Sequence, residues 1–268
     1  MRLIAWLAIG VFKESVRERV LYGLVLFAAI LMAATYLLGQ LTAGQDIKIV
    51  KDLGLGAIST LGLFMAVFIG ISLVWKEVER RSIYNVLSKP VTRVQFLLGK
   101  YAGLALTLAV NVGGMTLAFY AVLAYMDWTA DDALRRSWPA PALDPALVTA
   151  ILLIGMELLV VTAIALFFST FSSPFLSAVL TLALWVVGHF NDDLAHFDAV
   201  VDSPVAVWLA RALYYVLPDL AAFDVRAQVV HGLPIPPAAA GLAVAYGAAY
   251  ILFLLVAAIL IFRRRDLQ

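Results

Sequence analysis

Five stretches of this chain run for more than twenty residues without a single Asp, Glu, Lys or Arg: residues 20–45, 53–75, 101–126, 158–191 and 227–262. Hydrocarbon offers no partner to a bare backbone N–H or C=O, so such a run can enter a membrane only as a helix that satisfies its own backbone. A bilayer core about 30 Å thick needs about 20 helical residues, so each run is long enough to cross once. Composition points the same way. Only 14% of residues are charged and 64% are hydrophobic, whereas a soluble domain carries about 25% charged residues.

The tract 145–191 is too long for one crossing. Ser169-Thr170-Phe171-Ser172-Ser173-Pro174 interrupts it, and a proline at a first helical position with a serine before it as cap starts a helix well. The pattern therefore predicts an all-α, polytopic membrane protein that forms a single transmembrane domain over 1–268. Its six spans are expected near 20–40, 55–75, 101–125, 146–168, 174–191 and 239–262. An even number of crossings places both termini on one side.

Lys and Arg in loops mark the cytoplasmic side. With the termini inside, 13 of the 19 basic residues are cytoplasmic and 6 are external, while 5 acids lie inside and 12 outside. The net is +8 inside and −6 outside. Such a separation in a chain of overall charge +1 predicts a cell (inner) membrane protein with cytoplasmic termini.

Residues 1–19 resemble a signal peptide only at first sight. Arg2 precedes the apolar run Leu3–Phe12, but Lys13, Glu14, Arg17, Glu18 and Arg19 follow in place of a small-residue cleavage site;. Ten apolar residues cannot cross, so a helix lying on the cytoplasmic face is expected. Among the loops, 76–100 is the sizeable cytoplasmic one. In it Ile83, Val86 and Leu87 share one helical face, Pro90 ends the helix, and a short amphipathic turn at Val94–Leu98 precedes the third span. The outer segment 127–145, with Pro139, Pro141 and Pro145, reads as an irregular cap. In the extracytoplasmic segment 192–238, Ser203-Pro204 starts a helix carrying Val207, Trp208, Leu213 and Tyr214 that stops at Pro218, and its aromatic residues suit an outer interface.

The order of these features resembles the type-2 class of ABC exporter permeases over essentially the whole chain. The stretch KEVERRSIYNVLSKPVTRVQFLLGKY is similar to that family's acidic stretch, short helix, Pro, basic residue and Leu-Gly-Lys start of the third span. Phe168–Ser173, the element from Tyr215-Val216-Leu217-Pro218 to Phe223, and the terminal Phe262-Arg263-Arg264-Arg265-Asp266 follow in the same order. The resemblance implies that 76–100 holds a coupling helix, with Glu77, Glu79, Arg80, Arg81 and Tyr84 meeting an ATPase subunit. Many members carry Gly-Thr after the acidic stretch, where this chain has Arg81-Ser82-Ile83. It also implies an interfacial elbow helix at 1–19, two ATPase copies, and a second copy of this chain or a homologous permease. ATP and Mg would be bound by the partner, with no cofactor in this chain and no nucleic acid among its partners.

A separate ATPase is also required by the residues themselves. A phosphate-cradling loop needs Gly, four residues, then Gly-Lys-Ser/Thr. The one Gly-Lys pair, Gly99-Lys100, has Val94 in place of the first Gly and Tyr101 in place of the hydroxyl residue. The expected role is thus a permease subunit, an exporter without catalysis of its own. A mechanical relay to an envelope partner and an ion-driven secondary transporter are the alternatives. Secondary transporters usually show internal repeats, and none is evident here. An intramembrane enzyme would need clustered His and acids or a nucleophile within the spans, and His189, His196 and His231 lie toward the outer side.

Glu157 is the one formal charge inside a predicted span, where a lone charge costs about 3 kcal/mol on insertion scales. It is either a substrate or proton contact or a hydrogen-bonded structural residue. The run from His189 to Asp198 has zinc-ligand chemistry, with His189 and His196 two turns apart, but a hydrated helix end accounts for it without a metal. Gly99 and Gly103 permit close helix approach at the start of the third span.

Overall fold

The computed structural model describes residues 2–17, 27, 30, 46–79, 92–191 and 203–264, and the description of the fold is of these residues. They form α1 (Arg2–Arg17), α2 (Asp46–Glu79), α3 (Arg93–Thr129), α4 (Asp132–Ser137), α5 (Ala146–Ser169), α6 (Pro174–His189), α7 (Pro204–Val216), α8 (Arg226–Val230) and α9 (Pro237–Arg264), with a 3-10 turn at Ala221–Phe223. No strand occurs among them.

At the centre stands α5. It packs against α2, α3, α6, α8, α9 and the 3-10 turn. A helix packed against several others has no polar face to display, and α5 is accordingly apolar apart from Glu157, with Leu147, Ile154, Leu158, Val161 and Leu166 buried and Leu152 exposed. Close packing needs small residues at the crossings. A Cβ on Gly62 of α2 would lie 2.3 Å from Leu158, and one on Gly54 would lie 2.2 Å from the Phe119 ring of α3.

Four described helices are long and apolar enough to cross a membrane: Ile47–Phe68, Val94–Thr129, Ala146–Ser169 and Pro237–Phe262. A fifth crossing exists if the pair Val205–Val216 and Ala221–Val230, bent by 47°, is one broken span. The expected spans at 146–168 and 239–262 are thus present nearly to the residue. The span expected at 20–40 lies outside the described residues except for Phe27 and Ile30, both helical.

Three expectations change in detail. The second span, expected from 55, begins at Asp46 and so includes Lys48, Lys51 and Asp52. The structure accommodates Lys51 by folding the segment between α3 and α5 over it, and Nζ donates to the Pro141 carbonyl at 2.7 Å. The turn expected at Val94–Leu98 is the first part of α3 itself. Thr92 caps it by accepting from the Gln95 amide at 3.2 Å, and the Gln95 side chain accepts from the Thr92 amide at 3.1 Å, a reciprocal box that starts a helix firmly. Finally, α6 begins as expected, with Pro174 at its first turn and Ser173 accepting from the Leu176 amide, yet ends at His189. Its 16 residues reach about 24 Å, short of the hydrocarbon thickness.

One end of the bundle gathers α1, the start of α3, and the ends of α5 and α9. Leu97, Leu166, Leu255 and Ala258 cluster there, and Phe96 stacks on Phe262 at 6.3 Å between centroids. The Lys100 ammonium lies 5.2 Å from the centre of the Phe96 ring, a favourable cation–π distance. Along α3 lies α1, with Val11 against Leu104 and Trp6 turned outward at 76% exposure. The crossing is so close that a Cβ on Gly103 would sit 2.6 Å from the Val11 Cβ and 2.9 Å from the Ala8 carbonyl oxygen.

Replacing Gly103 by Val is expected to push α1 off α3 at a cost of about 1–3 kcal/mol, and to speed tryptic cleavage after Lys13 in reconstituted protein. Gly113→Ala, where a Cβ meets nothing within 4 Å, is the control and should leave cleavage unchanged.

Candidate functional site

Glu157 lies halfway along α5 and is 2% exposed. A carboxyl in that position must find its partners within the protein, and α6 provides them. Trp185 Nε1 donates to Glu157 Oε1 at 2.8 Å. His189 Nε2 stands 3.5 Å from the same oxygen. Trp185 and His189 are one turn apart and therefore share a face of α6, with ring centroids 4.7 Å apart and the His189 Nδ1 3.0 Å from the Trp185 carbonyl oxygen. The last turn of α6 thus stands beside the middle of α5. The His189 side chain is 21% exposed.

The segment after α7 closes over this pair. Leu217 and Asp219 lead it back from the end of α7, and two tyrosines of α9 hold it. Tyr246 accepts from the Asp219 amide at 2.8 Å and Tyr250 donates to the Val216 carbonyl at 3.1 Å. The Leu220 amide donates to the Gly188 carbonyl at 2.9 Å. Gly188 is required at this seat, since a Cβ would lie 2.8 Å from the Pro218 oxygen. Phe223 is fully buried behind it.

Beyond Phe223, Asp224 and Arg226 form a two-pronged ion pair, Nε to Oδ1 at 2.8 Å and Nη2 to Oδ2 at 2.7 Å. The guanidinium passes α2 at Gly56, 3.7 Å from where a Cβ would be. Both charges act electrostatically on Glu157, and Asp224 also acts on His189. The segment then turns back at Gly232, whose φ of 68° is strained for residues with a Cβ. The result is a hook, residues 217–232, held between α2, α5, α6 and α9 over a polar cluster of Glu157, Trp185, His189, Asp224 and Arg226.

The sequence singled out Glu157 and the run from His189 as separate features, and the structure joins them. Trp185 and Arg226 were missed as partners. The signal for Trp185 was its position one turn before His189 on the expected fifth span, whereas Arg226 was indistinguishable from an outer-loop charge. The other members of the run, Asp192, Asp193, His196 and Asp198, lie outside the described residues. Among the described residues no three His, Cys, Asp or Glu side chains are grouped to hold a metal.

At the opposite end, Glu77 and Glu79 fall in the last turn of α2. Arg80, Arg81 and Tyr84, with the helix expected around Ile83–Leu87, lie outside the described residues. The loop joining α2 to α3 leaves the bundle at the end where α1 and the end of α9 lie.

Over residues 5–267 the chain matches the family described as ABC-2 family transporter protein. The chain belongs to the ABC-2 transporter family. No curated protein matches it in a sequence search. Membership makes the chain a multi-pass membrane permease subunit of an ABC transporter. The matched residues include both the polar cluster and the segment between α2 and α3.

Removing the Trp185 donor leaves a buried acceptor short of a partner, which costs about 1–3 kcal/mol. Trp185→Phe is therefore expected to lower the unfolding temperature in lipid nanodiscs. In a Glu157→Leu background the same substitution should cost clearly less; equal losses in both backgrounds would show that the indole does not act through Glu157.

Proposed function

We propose that this ABC-2 family chain is the permease of an exporter that crosses the cell (inner) membrane six times, with both termini in the cytoplasm. In this reading two copies of the chain, or this chain and a homologous permease, assemble with two copies of a separate ATPase that binds ATP and Mg. The observation that carries it is the match to a transporter family over nearly the whole length in a chain without a phosphate-cradling Gly-x4-Gly-Lys-Ser/Thr sequence. The energy source has to be another polypeptide. The uneven charge distribution of the loops supports the orientation.

The ATPase would dock where Glu77, Glu79, Arg80, Arg81 and Tyr84 lie. Support comes from the run of α2 through Glu79 and from the capped start of α3 at Thr92. These two long helices bracket the loop, so a displacement imposed on it is passed to α2 and α3 together. Both touch the central α5. Nucleotide-driven closure of the ATPases would then move the loops inward and reorient the two permeases by alternating access. The burial of Glu157 and its two partners supports a structural place for it rather than direct contact with substrate.

Reversal of Glu77 and Glu79 to Lys in one variant is expected to reduce ATPase stimulation by reconstituted permease at least several-fold, or to reduce recovery of the ATPase on the tagged permease, with membrane insertion unchanged. Full stimulation with normal recovery would remove the docking assignment. Native isolation without any nucleotide hydrolase would remove the exporter reading as a whole.

A further inference from the structure

Asn111 stands halfway along α3, about 27 Å from either end of the helix, and is 1% exposed. Its Nδ2 donates to the Thr107 carbonyl one turn back at 2.7 Å. That bond fixes which way round the amide sits, since turning it over would set Oδ1 against another acceptor. Oδ1 is buried and accepts from no group among the described residues. A buried carbonyl oxygen left without a donor is costly.

Beside it small residues leave a gap. A cavity of about 10 Å³ lies between α2, α3 and α5, lined by Ala66, Gly70, Leu104, Leu108, Asn111 and Thr162. On α2, Ala66 and Gly70 are one turn apart and share a face, and their lack of bulk keeps the space open while the helices stay close. A Cβ on Gly70 would lie 3.1 Å from the Ala165 Cβ of α5. Neither nearby hydroxyl relieves Oδ1. Thr162 Oγ1 spends its hydrogen on the Leu158 carbonyl at 2.7 Å, and Thr107 Oγ1 spends its own on the Gly103 carbonyl at 2.9 Å.

We propose that this cavity is a binding site for a single water molecule, which donates one hydrogen to Asn111 Oδ1 and the other to Thr162 Oγ1 and so bridges α3 and α5 in the middle of the bundle. Size and chemistry select this ligand together. A cavity of this volume has room for one water, and a water carries the two hydrogens that two accepting oxygens take up. A divalent cation would find too few oxygens here, because calcium and magnesium take about six or more. Ala66, Leu104 and Leu108 supply an aliphatic wall, and an apolar occupant would leave Oδ1 unmet. The site does not depend on what the permease carries or in which direction.

X-ray radiolysis of the full-length protein in nanodiscs, in 18O-enriched water, makes hydroxyl radicals from bound as well as bulk water and labels the side chains beside them. Leu104 and Leu108, both buried, are the reporters, and the fully buried Leu123, about 18 Å beyond Asn111 along α3, gives the background. In the wild type at least one reporter is expected to be labelled several-fold above Leu123. Labelling of both at the Leu123 level would overturn the site without any variant. Asn111→Leu removes the acceptor and Ala66→Val fills the space, and each is expected to bring the reporters down to background. Undiminished labelling in either variant would show that radicals reach the leucines by another route, and would equally overturn the proposal.

Discussion

Hydrocarbon supplies neither hydrogen-bond donors nor acceptors, so a polar group inside this bundle is costly unless another part of the chain meets it. That requirement explains why α5 is the axis of the fold. A helix apolar on all sides can be surrounded by four others without leaving polar groups unmatched, and the side chains of Thr162 and Ser169 are satisfied by carbonyls one turn back on α5 itself. Glu157 is the exception on that helix. Its presence dictates what α6 must carry at its end and one turn before it, and hence where His189 and Trp185 stand.

The same requirement sets where helices may be longer than the membrane. With 34 and 37 residues, α2 and α3 reach about 51 and 55 Å, well beyond a hydrocarbon core of about 30 Å. Part of their surplus is covered by protein. At one end the segment between α3 and α5 lies over α2 and takes the Lys51 ammonium at Pro141, while Arg135 donates back to the Asp127 carbonyl at the end of α3. On the other side α1 lies along α3 and the Phe96–Phe262 stack closes the end. The surplus is thus the part of each helix that builds the two end faces.

How much of this could be read from residues alone differs by element, for physical reasons. Hydrophobic length is a direct measure of span, so α5 and α9 were legible almost to their ends, and the Ser173-Pro174 start of α6 followed from cap chemistry. The start of α2 was not, because Lys48, Lys51 and Asp52 look like loop residues until the cap that accepts Lys51 is in place. Nor was the hook. Residues 217–232 hold Pro218, a 3-10 turn and a five-residue helix, and no periodicity distinguishes such a segment from a loop lying over the surface. What fixes it is tertiary: Gly188, Tyr246 and Tyr250 are separate in sequence and meet only around it. Of the polar cluster, Glu157 was visible because a lone acid in an apolar run is rare, but its partners were visible only as ordinary members of neighbouring segments.

The position of that cluster on α5 has a mechanical consequence. Leu166, near the end of α5, packs against Leu97 and Leu255, while Glu157, about 13 Å away along the same rigid helix, is tied to α6 and faces the hook. A packed helix transmits displacement as a body rather than absorbing it, because its interior contacts allow few intermediate arrangements. Any shift of α3 or α9 at the Leu97–Leu255 end that moves α5 must therefore either carry Trp185, His189 and the hook with it or break their contacts with Glu157. An apolar contact slides at little cost, since it has no direction, whereas the indole hydrogen bond to Glu157 is directional and resists sliding. The Glu157–Trp185 hydrogen bond is therefore the directional tie between α5 and α6, and it stands one turn from the Gly188 carbonyl that holds the hook.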